Sequence, residues 1–267
     1  LKKRSATEKE MSLACPRHLK GLLFDLDGVV ADTEDLHRQA YNLAFEEAGL
    51  ETRWSFSDYK QSFHLSAGGK LHQIQISKGL KEDPDHFRKR LYERKRSHYV
   101  KLLDEADLAP RPGVIRLIDE ALLRGVALAA ASTGAKEAAW AVLRKTLGRE
   151  RAERFASLKA GDDAPRRKPA PDIYLLALKE LGLSARSCVA IEDSAHGLKA
   201  AKTAGLWTLA TPSQYSMGDD FSLADRVVED LDRGEIDLDR LDRELEMALG
   251  FSKETRRGAV SGGRRDE

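Results

Sequence analysis

Only two cysteines occur in the 267 residues, Cys15 and Cys188, far apart and not in a CxxC. That scarcity excludes a disulfide scaffold and a thiolate zinc site, and it fits a reducing compartment. An excess of one charge is missing too. Lys plus Arg number 45 against 44 Asp plus Glu, a net charge of +1. A nucleic-acid or anionic-membrane binder would use a basic excess to exploit phosphate attraction, so neither partner is expected. Long apolar runs are absent: the purest stretch, Val126 to Ala131, is strand-sized, well short of the ~18 residues of a membrane span. There is no internal repeat, no low-complexity block, and no HExxH or paired spacing among the seven histidines. The expected class is a soluble globular protein and a monomer, 41% hydrophobic and 33% charged, with one large domain or two modest ones.

Both ends are expected to lie outside the fold. Residues 1–18 are polar and lack the apolar h-region of a secretory signal, which predicts a disordered tail. They are basic and contain serine, as transit peptides do, but Glu8 and Glu10 oppose that reading; cytoplasm and plastid stroma both stay open. Residues 251–267 lack periodicity and are rich in charge and glycine, which predicts a second tail. Before them, Leu and Ile at helical intervals from Leu231 to Leu249 predict a short packed helix.

Between the tails, apolar runs alternate with helical patterns. Lys20 to Phe24, Val126 to Ala131, Cys188 to Ile191 and Leu206 to Ala210 read as buried strands ending in polar residues. Val114 to Leu123, Lys136 to Leu147, Pro171 to Leu181 and Ala195 to Ala204 read as helices. Such alternation implies βαβ units and a doubly wound parallel sheet, an α/β fold. From Glu34 to about Leu108 the rhythm breaks. Apolar residues recur there only at helical spacing: Leu36, Ala40, Leu43 and Ala44; Leu71 and Ile74; Phe87, Leu91 and Tyr92. This predicts an α-helical domain over residues 36–108, inserted into a core of residues 19–35 and 109–250 and lying over the sheet as a lid.

Ligands of an open parallel sheet sit beyond the carboxyl ends of its strands. Three strand ends carry chemistry here: Asp25-Leu26-Asp27-Gly28, Ser132-Thr133 and Glu192-Asp193. Parallel strands bring these ends to one edge, so four carboxylates are expected to converge. They repel unless a cation neutralises them, and all-oxygen ligands suit Mg²⁺, which points to a phosphate substrate. Lys168, in Arg166-Arg167-Lys168-Pro169, precedes a helix and could pair with a phosphoryl oxygen or hold a nucleophile's charge. Each piece has a plainer reading: the acids and Ser132 as helix caps, Asp25 to Gly28 as a turn, Lys168 as a solvated lysine. Their order along the chain, each at its expected element, favours a site.

Together these residues resemble the four motifs of the haloacid dehalogenase superfamily over residues 20–230. The resemblance implies a Rossmannoid core with a helical cap inserted after the first strand. It implies Asp25 as the nucleophile of an aspartyl-phosphate intermediate and Asp27 as the general acid/base. Ser132 and Lys168 would hold the phosphoryl group. Asp193 would bind Mg²⁺ with Asp25 and the backbone carbonyl of Asp27, Glu192 standing beside them. Dehalogenating members lack the second Asp, so Asp27 selects phosphoryl transfer.

The flanks are similar to the CbbY-type phosphatases of xylulose 1,5-bisphosphate, a Rubisco inhibitor. They are Ala31 to Ala40, Gly68-Gly69-Lys70, and Thr211 to Phe221. A sugar phosphate or bisphosphate is then the substrate, bound by Glu34, Gly68, Gly69, Lys70 and Thr133. Phe63-His64-Leu65-Ser66-Ala67 departs from the pattern, which has a basic residue before the Gly-Gly-Lys loop; His64 or Arg53 is the expected substitute. His37 and His196 read as surface or capping residues. Trp54, Trp140 and Trp207 read as packing residues, Trp54 also as a wall of the cap side. A β-phosphoglucomutase-like mutase, a phosphatase of another small sugar phosphate and a non-catalytic phosphosugar sensor stay open as alternatives.

Overall fold

A computed structural model describes residues 16–62, 67–77 and 83–250. The expected tails and Phe63 to Ser66 lie outside the described residues, with one exception. Residues 16–18 belong to the fold, because the backbone N–H groups of Arg17, His18 and Leu19 donate to the Asp242 carboxylate at 2.7–3.1 Å. Among the described residues no helix is long and apolar enough to cross a membrane.

Six strands form one parallel sheet: β1 (Gly21–Phe24), β2 (Ala127–Ala131), β3 (Ser157–Lys159), β4 (Cys188–Glu192), β5 (Trp207–Ala210) and β6 (Arg226–Val227). Their order is β3-β2-β1-β4-β5-β6. Between β1 and β2 stand the helices α1 (Glu34–Glu47), α2 (Phe56–Gln61), α3 (Ala67–Ser77) and α4 (Pro84–Glu105). Then come α5 (Val114–Leu123), α6 (Lys136–Leu147), the short α7 (Arg149–Ala152), α8 (Asp172–Leu181), α9 (Ala195–Thr203) and α10 (Leu238–Ala248).

Successive strand side chains point to opposite faces, and helices cover both, which is why the strands are continuous apolar runs. Leu22, Phe24, Ala130 and Ile191 pack with Leu117 of α5, Val142 of α6 and Leu241 of α10. Leu23, Ala129 and Ala190 pack with Ile173 and Tyr174 of α8 and Ala201 of α9. Two strands were not anticipated, β3 and β6. They are three and two residues long at the sheet edges, with Ser157, Lys159 and Arg226 in place of an apolar run. The expected helix from Leu231 is shorter as well. Leu231 and Ile236 are buried, but the chain turns between them through Glu235 at φ 50°, and Asp237 caps α10 by accepting from the Arg240 N–H.

The insert has a core of its own. In α1 the buried face is Ala40, Tyr41, Ala44 and Phe45, whereas Leu43, expected inside, is 37% exposed. Trp54 meets the Tyr41 and Phe45 rings edge-on at 5.1 and 4.9 Å, and Leu71, Phe87 and Leu91 complete the cluster. A capping box between Ser55 and Asp58 starts α2, and Asp83 followed by Pro84 starts α4. Phe45 is fully buried among these rings, so Phe45→Ala should cost ~3–5 kcal/mol of stability. Thermal or denaturant unfolding checks this; a loss below ~1 kcal/mol would show that the site collapses to fill the space.

Candidate active site

Sheet order places β1 between β2 and β4, with Phe24 in register with Ala130 on one side and Ile191 on the other. The residues just beyond therefore lie side by side, and the Asp25 N–H donates to Ile191 O at 3.0 Å. After β1 the chain turns tightly, with Gly28 at φ 82°. A Cβ there would lie 2.2 Å from Asp193 Oδ2, so this turn and the end of β4 fit only because position 28 is glycine. Arg111 holds the same turn from the return segment of the insert. Its guanidinium donates to Gly28 O, and to Thr211 O and Pro212 O at 2.8 and 3.1 Å.

Lys168 Nζ lies 2.6 Å from Asp25 Oδ1 and 2.7 Å from Glu192 Oε1, and donates to Ala131 O at 2.9 Å. It is a buried lysine, not a solvated one. Burial alone would lower its pKa, but Asp25 and Glu192 lift it well above the ordinary value. Burial raises the Asp25 pKa well above the carboxylate range; Lys168 opposes this, while Glu192, Asp193 and Asp27 add to it.

Three of the four expected carboxylates gather: oxygens of Asp25, Glu192 and Asp193 lie within 4.8 Å of one another. The fourth, Asp27, turns its side chain elsewhere. Thr33 Oγ1 donates to its Oδ1, His37 Nε2 stands 3.6 Å from the same oxygen, and Ser132 Oγ donates to Oδ2 at 3.4 Å. Burial pushes the Asp27 pKa up, but the His37 and Thr33 hydrogen bonds and the charges of His37 and Lys95 outweigh it and hold it at about 2. The gathered trio fits a hard divalent cation. Glu192 is fully buried, its Oε1 takes Lys168 and Tyr174, and its Oε2 has no hydrogen-bond partner among the described residues. Asp25, Asp193 and Glu192 could hold Mg²⁺, and an ionised Asp25 needs such a charge beside it.

Above this edge lies an open cavity of about 230 Å³, lined by Asp25, Asp27, Glu34, Lys70, Thr133 and Lys168 among others. Gly68, Gly69 and Lys70 fall in the first turn of α3, and Lys70 lines the cavity. Its ammonium lies 4.6 Å from the centre of the Tyr59 ring, whose hydroxyl donates to Glu34 Oε2 at 3.0 Å. Arg53 is exposed and lines a separate depression with Glu51 and Asp58, so it does not replace the missing basic residue in this cavity; His64 lies outside the described residues. Trp54 packs inside the insert and lines that same depression.

Sequence reasoning missed several of these residues. His37, read as a surface or capping residue, stacks on Tyr99 with ring centres 4.0 Å apart and lies between Asp27 and Lys95, whose Nζ is 2.6 Å from its Nδ1. Lys95 is a buried cation in the middle of α4 that no motif marked. His196, also read as surface or capping, lines the cavity. Tyr174 and Arg111 went unnoticed because each acts on a partner distant in sequence. A lysine at a helical apolar position, as Lys95 is between Leu91 and Tyr99, was the available signal.

Gly197 gives Glu192 its space, since a Cβ there would lie 1.9 Å from Glu192 Oε2. Gly197→Ala should therefore displace Glu192 and weaken binding of a divalent cation by about 10- to 100-fold, if the trio holds one. Titration with Mg²⁺ against the unaltered protein checks this; unchanged affinity would show that Glu192 does not need its present position.

Comparisons with known proteins give the family. The family model of haloacid dehalogenase-like hydrolases matches residues 19–205. Protein CbbY of Rhodobacter capsulatus is 40% identical over 214 residues, covering 80% of this chain and 94% of that protein. A phosphorylated carbohydrates phosphatase of Thermotoga maritima is 31% identical over 194 residues, 70% of this chain and 82% of that one. The crystal structure of a mutant CbbY from Rhodobacter sphaeroides in complex with xylulose-(1,5)bisphosphate superposes with a TM-score of 0.72 at 34% identity, covering 79% of this chain and 94% of the other. The chain belongs to the haloacid dehalogenase-like hydrolases, and it is an enzyme.

Proposed function

We propose that this hydrolase is a Mg²⁺-dependent phosphatase of small sugar phosphates, with xylulose 1,5-bisphosphate as its foremost substrate. The observation that carries the reading is the buried group of Asp25, Lys168, Glu192 and Asp193 at the floor of a cavity whose other end is cationic. The likeness to CbbY, crystallised with that bisphosphate, supports the choice of substrate.

Asp25 is the nucleophile. Its carboxylate oxygen forms a bond to phosphorus as the ester P–O bond breaks, and the departing oxygen takes a proton from Asp27. A water molecule then attacks the aspartyl-phosphate, its proton passes to Asp27, and the P–O bond to Asp25 breaks to release phosphate. Asp27, held at about pKa 2 by His37 and Thr33, rests ionised; an incoming phosphate dianion beside it raises its hold on a proton. Lys168 and Ser132 hold the phosphoryl oxygens, with Thr133 at their side. Asp25, Asp193, Glu192 and the backbone carbonyl of Asp27 would hold Mg²⁺, which when bound withdraws charge from the phosphoryl oxygens. Glu34, fixed by Tyr59, accepts from sugar hydroxyls, and the Gly68-Gly69-Lys70 turn takes a remote anion. Residues 36–108 act as the cap and residues 19–35 with 109–250 as the catalytic core.

Asp25→Asn is isosteric but not nucleophilic. Turnover should fall by more than about a hundredfold, with the thermal transition and bisphosphate binding retained. Residual activity above about one per cent would exclude covalent catalysis by Asp25.

Chelation by EDTA should abolish phosphate release and Mg²⁺ restore it. Ca²⁺ should inhibit, because its looser, higher-coordinate shell takes both oxygens of Asp25 and turns the nucleophile away. Full turnover in chelator would remove the metal from the mechanism.

A further inference from the structure

Strand β5 ends at Ala210, and the segment that follows lies against the candidate metal ligands. The Thr211 N–H donates to Glu192 O at 2.8 Å, and Arg111 holds the carbonyls of Thr211 and Pro212. Ser213 and Ser216 then face each other, both buried. The Ser213 N–H donates to Ser216 Oγ at 2.8 Å, the Ser216 N–H to Ser213 Oγ at 3.4 Å, and the two hydroxyls are 3.1 Å apart. Ser216 Oγ also lies 3.2 Å from Asp193 Oδ2 and 3.4 Å from Ser213 O. A hydroxyl carries a single hydrogen, and a carboxylate accepts it more strongly than a neutral oxygen does, so the Ser216 hydrogen goes to Asp193.

The two residues between these serines meet the insert. Lys60 Nζ of α2 donates to Gln214 O at 3.0 Å. The Tyr215 ring packs against Phe56 and Tyr59 of α2, with ring centres 4.5 and 5.5 Å apart, and its hydroxyl donates to Asp35 of α1 at 2.7 Å. The reciprocal N–H bonds close Ser213 to Ser216 into one tight turn, so Gln214 and Tyr215 shift only together with Ser216. Seating of α2 therefore reaches the Asp193 carboxylate through three consecutive residues.

We propose that Ser216 is a positioning residue for Asp193, and that the contacts of α2 with Gln214 and Tyr215 hold it in that role, so that seating of the insert tightens the binding of a divalent cation. This rests on the metal reading above. Asp193 Oδ2 is confined from two sides: by the Ser216 hydroxyl and by the Gly28 turn, where even a Cβ would lie 2.2 Å away. A carboxylate held in this way loses little freedom when a cation arrives. One without the hydroxyl must be ordered at that moment, at the expense of affinity. Coupling of this kind is reciprocal: a seated insert that favours the cation is favoured by the bound cation to the same factor. The cation thus helps to close the cavity over a substrate.

The test is calorimetric titration of Mg²⁺ into the metal-free full chain, without substrate. Ser216→Ala should weaken binding about 10- to 100-fold, the usual cost of removing a group that orients a metal ligand. The double variant Phe56→Ala, Lys60→Ala, altered only on α2, should weaken it about 5-fold or more. Phe56 is 42% exposed, so this variant stays informative if the buried substitution at Ser216 lowers stability; melting of the metal-free proteins monitors both. Phosphate release should divide in the same way. The Mg²⁺ concentration for half-maximal rate should rise in both variants, while turnover at saturating Mg²⁺ returns toward the unaltered level. Unchanged affinity in Ser216→Ala overturns the positioning role, and unchanged affinity in the α2 variant overturns its dependence on the insert. A turnover loss that saturating Mg²⁺ leaves in place, with affinity unchanged, would make these residues merely structural and overturn the proposal. An unaltered protein that binds no Mg²⁺ sinks the metal reading itself; one that binds it no better than its variants sinks only this inference.

Discussion

Three carboxylates and one ammonium share a buried space at the carboxyl edge of the sheet, and much of the fold serves to make that tenable. Removing an ion from water costs several kcal/mol even after relaxation, so each must find partners inside. Lys168 serves Asp25 and Glu192 together, and the Tyr174 hydroxyl adds a second bond to Glu192. Gly28 and Gly197 remove the side-chain atoms that would collide with Asp193 and Glu192. With all three ionised, one ammonium leaves the group doubly negative, a state that burial opposes at Asp25 and Asp193. A divalent cation is the simplest species that balances it, and a phosphoryl group is what such a cation then attracts.

Asp25 and Asp27 are two residues apart and face opposite conditions. Burial and three neighbouring carboxylates raise the first, with Lys168 opposing, whereas His37 and Thr33 overcome burial at the second and bring it to about 2. Such divergence gives two carboxylates of one short segment different affinities for a proton, the condition for dividing acid–base work between them. Lys95 stands behind His37 and keeps a positive charge near Asp27, although Lys95 belongs to the insert and Asp27 to the core turn. The surroundings of Asp27 therefore depend on where the insert sits.

The sequence showed most of what chain-local rules can show. The helices at Val114–Leu123 and Lys136–Leu147 have the expected bounds, because their apolar spacing and flanking residues are local signals. The gathering of Asp25, Glu192 and Asp193 was legible because strand ends of a parallel sheet share an edge; Lys168 lies in the loop before α8, and the Asp27 side chain turns away from the group. Strands β3 and β6 were not, since a two- or three-residue edge strand leaves no pattern to read. Leu43 failed for another reason: the buried face of α1 is chosen by Trp54, which arrives from a later turn and selects Tyr41 and Phe45. His37, Lys95 and Arg111 share that difficulty. Their roles come from partners brought close by the fold, and a charged residue on a helix or loop looks the same in sequence whether it faces solvent or a cavity.

Tyr215 shows how the two ends of the cavity are joined. It lies after β5, beside Ser216, whose Oγ donates to Asp193 at 3.2 Å. Its ring packs edge-on against Tyr59 at 5.5 Å, and its hydroxyl donates to Asp35 of α1 at 2.7 Å. Tyr59 in turn donates to Glu34 and carries Lys70 on its face. A continuous series of contacts therefore runs from a candidate metal ligand to Glu34 and Lys70 in the wall of the cavity. An insert that swings away must break the aromatic contacts at Tyr215 and the Tyr59 bond to Glu34 and withdraw Lys70 in one movement, while Asp25, Lys168 and Glu192 stay with the core. Buried ions need that rigidity to remain satisfied, and a ligand needs the mobility to enter. Placing the carboxylate cluster on strand ends and the ligand-facing cations mostly on inserted helices meets both requirements.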